Sequence, residues 1–447
     1  MPTTPAQRTS PHTFPEQHDI VALVVSMLCV ADCAAAFSVN HTWNAAAVAR
    51  LRALLPGLQE CASAVFQHPP GSPWRMLSER RCEVRTTEAL GRLVQLLHLG
   101  ALPALRKLTI NTASRIGDAG AAALAGALQA NNVLVALDVG FNDIGHSGAT
   151  AIADALKLNT VLTRLSLSDN HGIGAAGAAA LAETLKVNAA MKKLVLTSSW
   201  IGDAGAVSIA GALEDSAALE TLNIHSNNIG VASAAALAGA LKINTSLKSL
   251  GLSNNKLGGA GAATLAEALK HNAVLQNLDL AANNIGDAGT AAVADVLEVS
   301  AALKHLRLCG NDVGADGTVA LSRALRSNSV LTNLELATNR IRDAGTVALA
   351  GALTTNAVLK SLDLSLNGIG DAGASALAES LKGNAAVKTL RLSLNSIGDT
   401  GATALAVSLE SNAVLKVLDL RANRIRAKKQ HALRIAARRF TLLLGAS

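Results

Sequence analysis

The sequence predicts an α/β solenoid, a curved coil with parallel strands on its inner face and helices on its outer face. Three observations carry this. One apolar frame recurs at Leu105, Leu134, Leu162, Met191, Leu219, Leu247, Leu275, Leu303, Leu331, Leu359, Val387 and Leu415, twelve starts that are 28 apart except for two steps of 29. Such self-similarity marks stacked repeats. Each frame also switches from a period-two pattern to a helical one, and ten of the twelve carry Asn at the switch.

The unit beginning at Leu275 shows why. Leu275, Leu278 and Leu280 point apolar side chains inward from a short strand, while Asn277 and Asp279 alternate outward. Asn283 stands where the chain leaves the strand, so its side-chain amide can serve backbone groups that have lost their ladder partners. Asp287 is expected at a helix N-cap, with Gly289, Val293, Ala294 and Leu297 forming one apolar helical face. In sister units Lys242 precedes Asn244 and Lys270 precedes Asn272, a pattern that suits a helix C-terminus with a left-handed cap. Stacked strands sit ~4.8 Å apart, whereas helices need roughly 8–10 Å. The strand side is therefore the shorter, and the coil must curve.

The consensus LxxLxLxxNxIxxxGxxxLxxxL resembles ribonuclease-inhibitor-type leucine-rich repeats. The run Ile369-Gly-Asp-Ala-Gly-Ala-Ser-Ala-Leu-Ala-Glu-Ser-Leu381 is similar to the repeats of NOD-like receptors. The resemblance covers about residues 90–440 and implies a horseshoe that recognises a protein partner. Such repeats serve many partners, so fold alone does not choose one.

Taken in order, residues 1–17 read as a disordered lead, and 18–66 as a small helical module. Within that module Ile20-Val21, Val24, Leu28, Asp32, Val39 and Trp43 resemble the F-box pattern. The usual Leu-Pro at its start is missing, and Ala36 stands where Leu is expected. The resemblance implies that Ile20, Val24 and Leu28 face the adaptor of a cullin-type ubiquitin ligase; the alternative is a cap over the first repeat. Residues 67–104 read as a linker followed by a cap helix, Thr87 to Leu99. The repeats occupy 105–426, and 427–447 is expected to be a basic cap helix running from Ala427 to Leu444.

Composition bounds the function. Five cysteines with no CxxC pair favour a reducing compartment, the cytoplasm or the nucleus. The apolar run from Ile20 to Ala31 falls short of the ~20 residues that span a bilayer. The net charge of +7 is accounted for by eight basic residues between Arg421 and Ser447, so the body is close to neutral. With aromatics at 2% and no Tyr, base stacking has little to work with, and no nucleic acid is expected. Phosphate-loop, metalloprotease, hydrolase-elbow and metal-ligand spacings are all absent. His305 and Cys309 share a strand face, but at ~3.3 Å per residue they stand about 13 Å apart, too far for a dyad. No enzyme activity, cofactor or metal is expected.

The inner face offers a column of one residue per unit that includes Asp279, Arg307, Glu335, Asp363, Arg391 and Asp419. Its alternating signs predict that Arg307 pairs with Asp279 and Glu335, and that Arg391 pairs with Asp363 and Asp419. Departures from the repeat cluster early: extra residues at Ser114-Arg115 and His171-Gly172, and Ser199 in place of the ladder Asn. Phe141 and Trp200 lie on loops after strands, with His171 between them and His225 one unit on. Loops with aromatics concentrate interface energy, so Phe141, His171, Trp200, His225, Asp279, Arg307 and Glu335 are the candidate partner-binding residues. The function expected is a non-enzymatic protein-recognition scaffold, with the F-box-like module making it the substrate receptor of a ubiquitin ligase. The alternative is a scaffold without that link, a regulator of a small GTPase or a sensor in the manner of NOD-like receptors. The acidic tail of Ran GTPase-activating proteins, whose repeats are similar, is missing.

Overall fold

A computed structural model describes residues 81–84, 87–98, 102, 104–110, 115–436 and 441–444. The F-box-like positions Ile20, Val24 and Leu28, and the module around them, lie outside the described residues. Among the described residues fourteen strands form one open sheet in strict sequence order. Neighbours are parallel, and each register step is one repeat: Asn277 opposite His305, Leu278 opposite Leu306, Asp279 opposite Arg307. A helix joins each strand to the next, so the sheet lines one face of a curved solenoid and the helices line the other. Leu278, Leu280, Val293 and Leu297 are buried between the two layers, as the frame requires.

Both ends differ in detail from the sequence reading. Arg81–Val84, within the expected linker, is a strand that pairs with Lys107–Ile110. The last helix spans Ala427–Ala436 rather than reaching Leu444, and Thr441–Leu443 becomes the final strand. The edge of Val417–Asp419 supplies the reason. Its open backbone groups find partners, with Leu420 N–H donating to Leu443 O at 2.9 Å and Thr441 N–H to Lys416 O at 2.8 Å.

The asparagine ladder forms as expected. Asn283 Nδ2 donates to Leu252 O of the preceding unit at 2.9 Å, to Leu280 O at 3.1 Å and to Ala281 O at 3.0 Å, while its own N–H donates to Asn311 Oδ1 at 2.8 Å. Ser199 keeps part of this pattern, its N–H donating to Asn227 Oδ1 at 2.9 Å. A second ladder runs along the helix ends. Asn244 Nδ2 donates to Leu213 O at 2.7 Å and Ser216 O at 3.1 Å, and its Oδ1 accepts from Leu247 N–H at 2.8 Å. This replaces the expected left-handed cap. Asn244 has φ −69° and ψ 127°, because only an extended backbone aims its amide at the previous unit.

Asp287 does not cap its own helix. It lies inside the first turn of Gly286–Val299, whose N-cap residue Ile285 has no side-chain cap. Its Oδ1 instead accepts from Gly314 N–H at 2.6 Å and Gly317 N–H at 3.0 Å, at the start of the next helix. A Cβ on Gly314 would come within 2.9 Å of that carboxylate, so a side chain there would make it shift; behind Asp399 the receiving residue is Arg426, whose N–H donates to Asp399 Oδ1 at 2.9 Å. The same link joins Asp118 to Gly145, Asp203 to Gly230, Asp343 to Gly370 and Asp371 to Gly398. Every receiving glycine is extended, with φ between −94° and −113°. Where the preceding unit has His146, Ala175, Val231, Gly259 or Ala315 instead of Asp, the following residue turns left-handed: Gly174, Gly202, Gly258, Gly286 and Arg342 have φ from 53° to 62°. Their amides then point forward, as Gly286 N–H does to Asn311 O at 2.9 Å.

Candidate functional site

The concave face narrows to a cavity of about 320 Å³ bordered by His225, Asp279, Arg307 and Glu335. Four of the residues singled out in the sequence thus meet in one place. Arg307 bridges both neighbours: Nη1 donates to Asp279 Oδ2 and Nε donates to Glu335 Oε2, each at 2.8 Å. The side chain of Asp279 is nearly buried, and its Oδ1 also accepts from Ala281 N–H at 3.1 Å. The two carboxylates hold the Arg307 guanidinium above its ordinary range against the opposing effect of burial.

His225 extends the chain of charges across a third strand. Its Nδ1 accepts from Ser253 N–H at 2.9 Å and also contacts Ser253 Oγ. The neutral ring therefore carries its proton on Nε2, which faces Asp279 Oδ2 at 3.8 Å. Burial pushes the imidazole below its usual range, Asp279 opposes that, and Arg307 adds to it. Gly251 and Ser253, which sequence reasoning missed, make this arrangement. The signal was there, since Gly251 is the one glycine in an inner column otherwise filled by side chains.

Other pairs turned out differently. Arg391 pairs with neither Asp363 nor Asp419. Asp419 is buried and held by Arg421, whose Nε and Nη2 donate to its two oxygens at 2.9 and 2.7 Å. Asp363 Oδ1 accepts from Ser365 N–H at 2.9 Å, in its own turn. Cys309 is half-buried, and burial pushes its thiol up to about 11, the opposite of an activated nucleophile. Among the described residues no group of three or more His, Cys, Asp or Glu could hold a metal ion, and no helix is long and apolar enough to cross a membrane.

The rim carries a second site. His171 and Trp200 stack, their ring centroids 5.0 Å apart and their planes at 14°. His171 Nδ1–H donates to Ser198 O at 2.7 Å, which fixes the ring. Trp200 is 64% exposed with φ 52°, in a column that otherwise places Asp143, Asn228, Asn284, Asp312 and Gly368 in that left-handed region. Those residue types tolerate it; a bulky side chain is out of place. Phe141 is also exposed and left-handed, with φ 57°, but its ring touches neither His171 nor Trp200. The rim residues are thus a stacked pair and a separate neighbour.

A comparison with protein-family models agrees with this architecture. A family model described as Leucine Rich repeat matches residues 130–153, 158–182, 187–210, 244–266, 271–294, 355–378 and 383–406. No curated protein matches. Among solved structures the chain is similar to the complex of Rad7 and Elc1 in yeast, at 18% identity over 93% of this chain and 97% of that one, with a TM-score of 0.44. It is also similar to an internalin, InlF, from Listeria monocytogenes, at 20% identity over 78% and 92%, with a TM-score of 0.45. A third, the TLR13–ssRNA13 complex, shows 21% identity over 73% and 41%, with a TM-score of 0.44. Strand register, asparagine ladder and seven matched segments agree: the chain is a curved solenoid of leucine-rich repeats.

Proposed function

We propose that the chain is a non-enzymatic scaffold that holds a protein partner, and that the His171–Trp200 stack is the anchor of that contact. The observation that carries this is the exposed Trp200 at φ 52°. A large apolar side chain is kept in a costly backbone region without burying anything in the fold, and such outliers gather where they are used. The charged concave centre satisfies itself through Arg307 and contributes orientation more than affinity. A protein is favoured over a nucleic acid because aromatics are scarce, at 2%, and the cavity carries both signs of charge. The F-box-like spacing from Ile20 to Trp43 supports the finer reading of a ubiquitin-ligase substrate receptor in the cytoplasm, with the repeats selecting the substrate.

Affinity purification from cell extract, quantified by mass spectrometry, tests both levels. Trp200→Ala should weaken capture of the principal partner by 2 kcal/mol or more, about thirtyfold, with an unchanged melting temperature. Arg307→Ala should weaken it less; the reverse order would move the site to the charged column. Adaptor and cullin peptides that disappear when residues 1–66 are deleted support the receptor reading, and their absence from the full-length capture rejects it.

A further inference from the structure

The last third of the concave face differs from its centre in being positively charged and unsatisfied. Lys360, Lys388 and Lys416 occupy one column on three adjacent strands, just before Ser361, Thr389 and Val417, and all are exposed. Four lysines on or just after the helices are paired instead, Lys157 with Asp154, Lys186 with Glu183, Lys270 with Glu267 and Lys382 with Glu379. Among the described residues Lys360, Lys388, Lys416 and Arg391 have no side-chain partner at hydrogen-bonding or ion-pair distance. The nearby acids are already engaged, Asp419 by Arg421 and Asp363 by its own turn. Positive charge is left in excess facing the hollow.

At the other edge of the same strands stand Leu366 and Leu394, 46% and 51% exposed. They are adjacent in the stack and left-handed, with φ 56° and 58°. The equivalent position is left-handed in the other units too, at Phe141, Asp169, Ser198, Ser226, Asn254, Ala282, Gly310, Thr338 and Ala422, but of these only Phe141 is also a large exposed hydrophobic. Leu366 and Leu394 are the one place in this column where two large hydrophobics stand exposed in adjacent units.

We propose that the C-terminal third of the concave face docks an acidic peptide segment with a pair of bulky apolar side chains at one end. The lysine column and Arg391 attract the carboxylates, and Leu366 with Leu394 seats the apolar pair. From Lys388 to Leu394 the path is up to about 20 Å at ~3.3 Å per residue, a length that some six extended residues cover. A polynucleotide fits less well, because residues 300–436 contain no Phe, Trp or Tyr on which a base could stack.

The test is fluorescence anisotropy with the full chain and three labelled probes. These are a twelve-residue Glu-rich peptide ending in two leucines, the same peptide with Lys for Glu, and a twelve-nucleotide single-stranded RNA. The acidic peptide should bind at least tenfold tighter than either other probe, and its affinity should fall as salt rises. The double change K388E and K416E should lower that affinity at least tenfold. Replacing Leu366 and Leu394 by Gly should lower it similarly while leaving the melting temperature level or higher, since glycine suits their backbone. Trp200→Ala should leave peptide binding untouched, which separates this surface from the rim anchor. Equal binding of acidic and basic peptides, tighter binding of the RNA, or indifference to the leucine changes would each overturn the proposal.

Discussion

The imidazole of His225 occupies the space that a side chain at position 251 would fill. A Cβ on Gly251 would stand 2.8 Å from both Cε1 and Nε2 of that ring, so the glycine is what lets the histidine lie across a neighbouring strand toward Asp279. Gly251→Ala should cost about 1–3 kcal/mol through overpacking. The cost should vanish when His225 is also changed to Ala, a double-mutant cycle read by urea denaturation. An equal cost in both backgrounds would place the strain in the backbone instead.

Acid should loosen the same cluster. The folded-state pKa of His225 lies below its ordinary 6.5, so above that value both folded and unfolded chains are neutral there and pH has no leverage. Below it the unfolded state takes up the proton first, and stability falls until the folded ring titrates as well. A protonated Nδ1 would also face the Ser253 N–H that now donates to it. The urea midpoint should drop more between pH 7.5 and 5.5 for the natural chain than for His225→Gln. Parallel curves would refute the assignment.

Cutting the inner ladder should be expensive. Asn283→Ala removes one of the donors to each of Leu252 O, Leu280 O and Ala281 O and takes the Oδ1 acceptor from the buried Leu257 N–H, at about 1–3 kcal/mol. Asn311→Ala should behave alike. Glu335→Ala, which removes one exposed ion pair with Arg307, should cost no more than about 1 kcal/mol. Matching midpoints for the Asn and Glu variants would contradict this order.

The link between repeats offers a sharper measurement. Gly314→Ala should destabilise the chain because its methyl group meets the Asp287 carboxylate, and Asp287→Ala should relieve that clash while removing the cap. The two changes together should cost less than their sum. Arg342 holds φ 53° where sister units have glycine, so Arg342→Gly should raise stability by about 1 kcal/mol. A loss in thermal denaturation would show that the arginine side chain contributes more than its backbone costs.

How much of this was readable follows from periodicity. Leu278, Asn283 and Leu297 recur in almost every unit, so strand, ladder and helix declare themselves, and the Arg307 bridge follows from knowing which residues become neighbours across strands. Features that depend on direction did not declare themselves. Whether Asp287 reaches its own helix or the next is set by how helices lean on one another, and no spacing records that. Arg421 captures Asp419 from two residues away in its own turn, a local contact that a column of strand neighbours cannot foresee. The stack of His171 on Trp200 was legible only as nearness, since the ring orientation is set by the His171 bond to Ser198 O in the next unit.

The carboxylate that crosses from one unit to the next makes the coil less interchangeable than its regular period suggests. Loop shape at each helix entrance is written about 27 residues upstream, in whether an Asp stands there. A unit led by Arg342, left-handed behind Ala315, would have to give up that backbone behind Asp287, because the Asp399 carboxylate is met by an Arg426 that is not left-handed. Duplication, deletion or grafting of single units would therefore succeed only where the sender and receiver match. The chain is inherited in compatible neighbours, and its natural building block is the junction between two units rather than either unit alone.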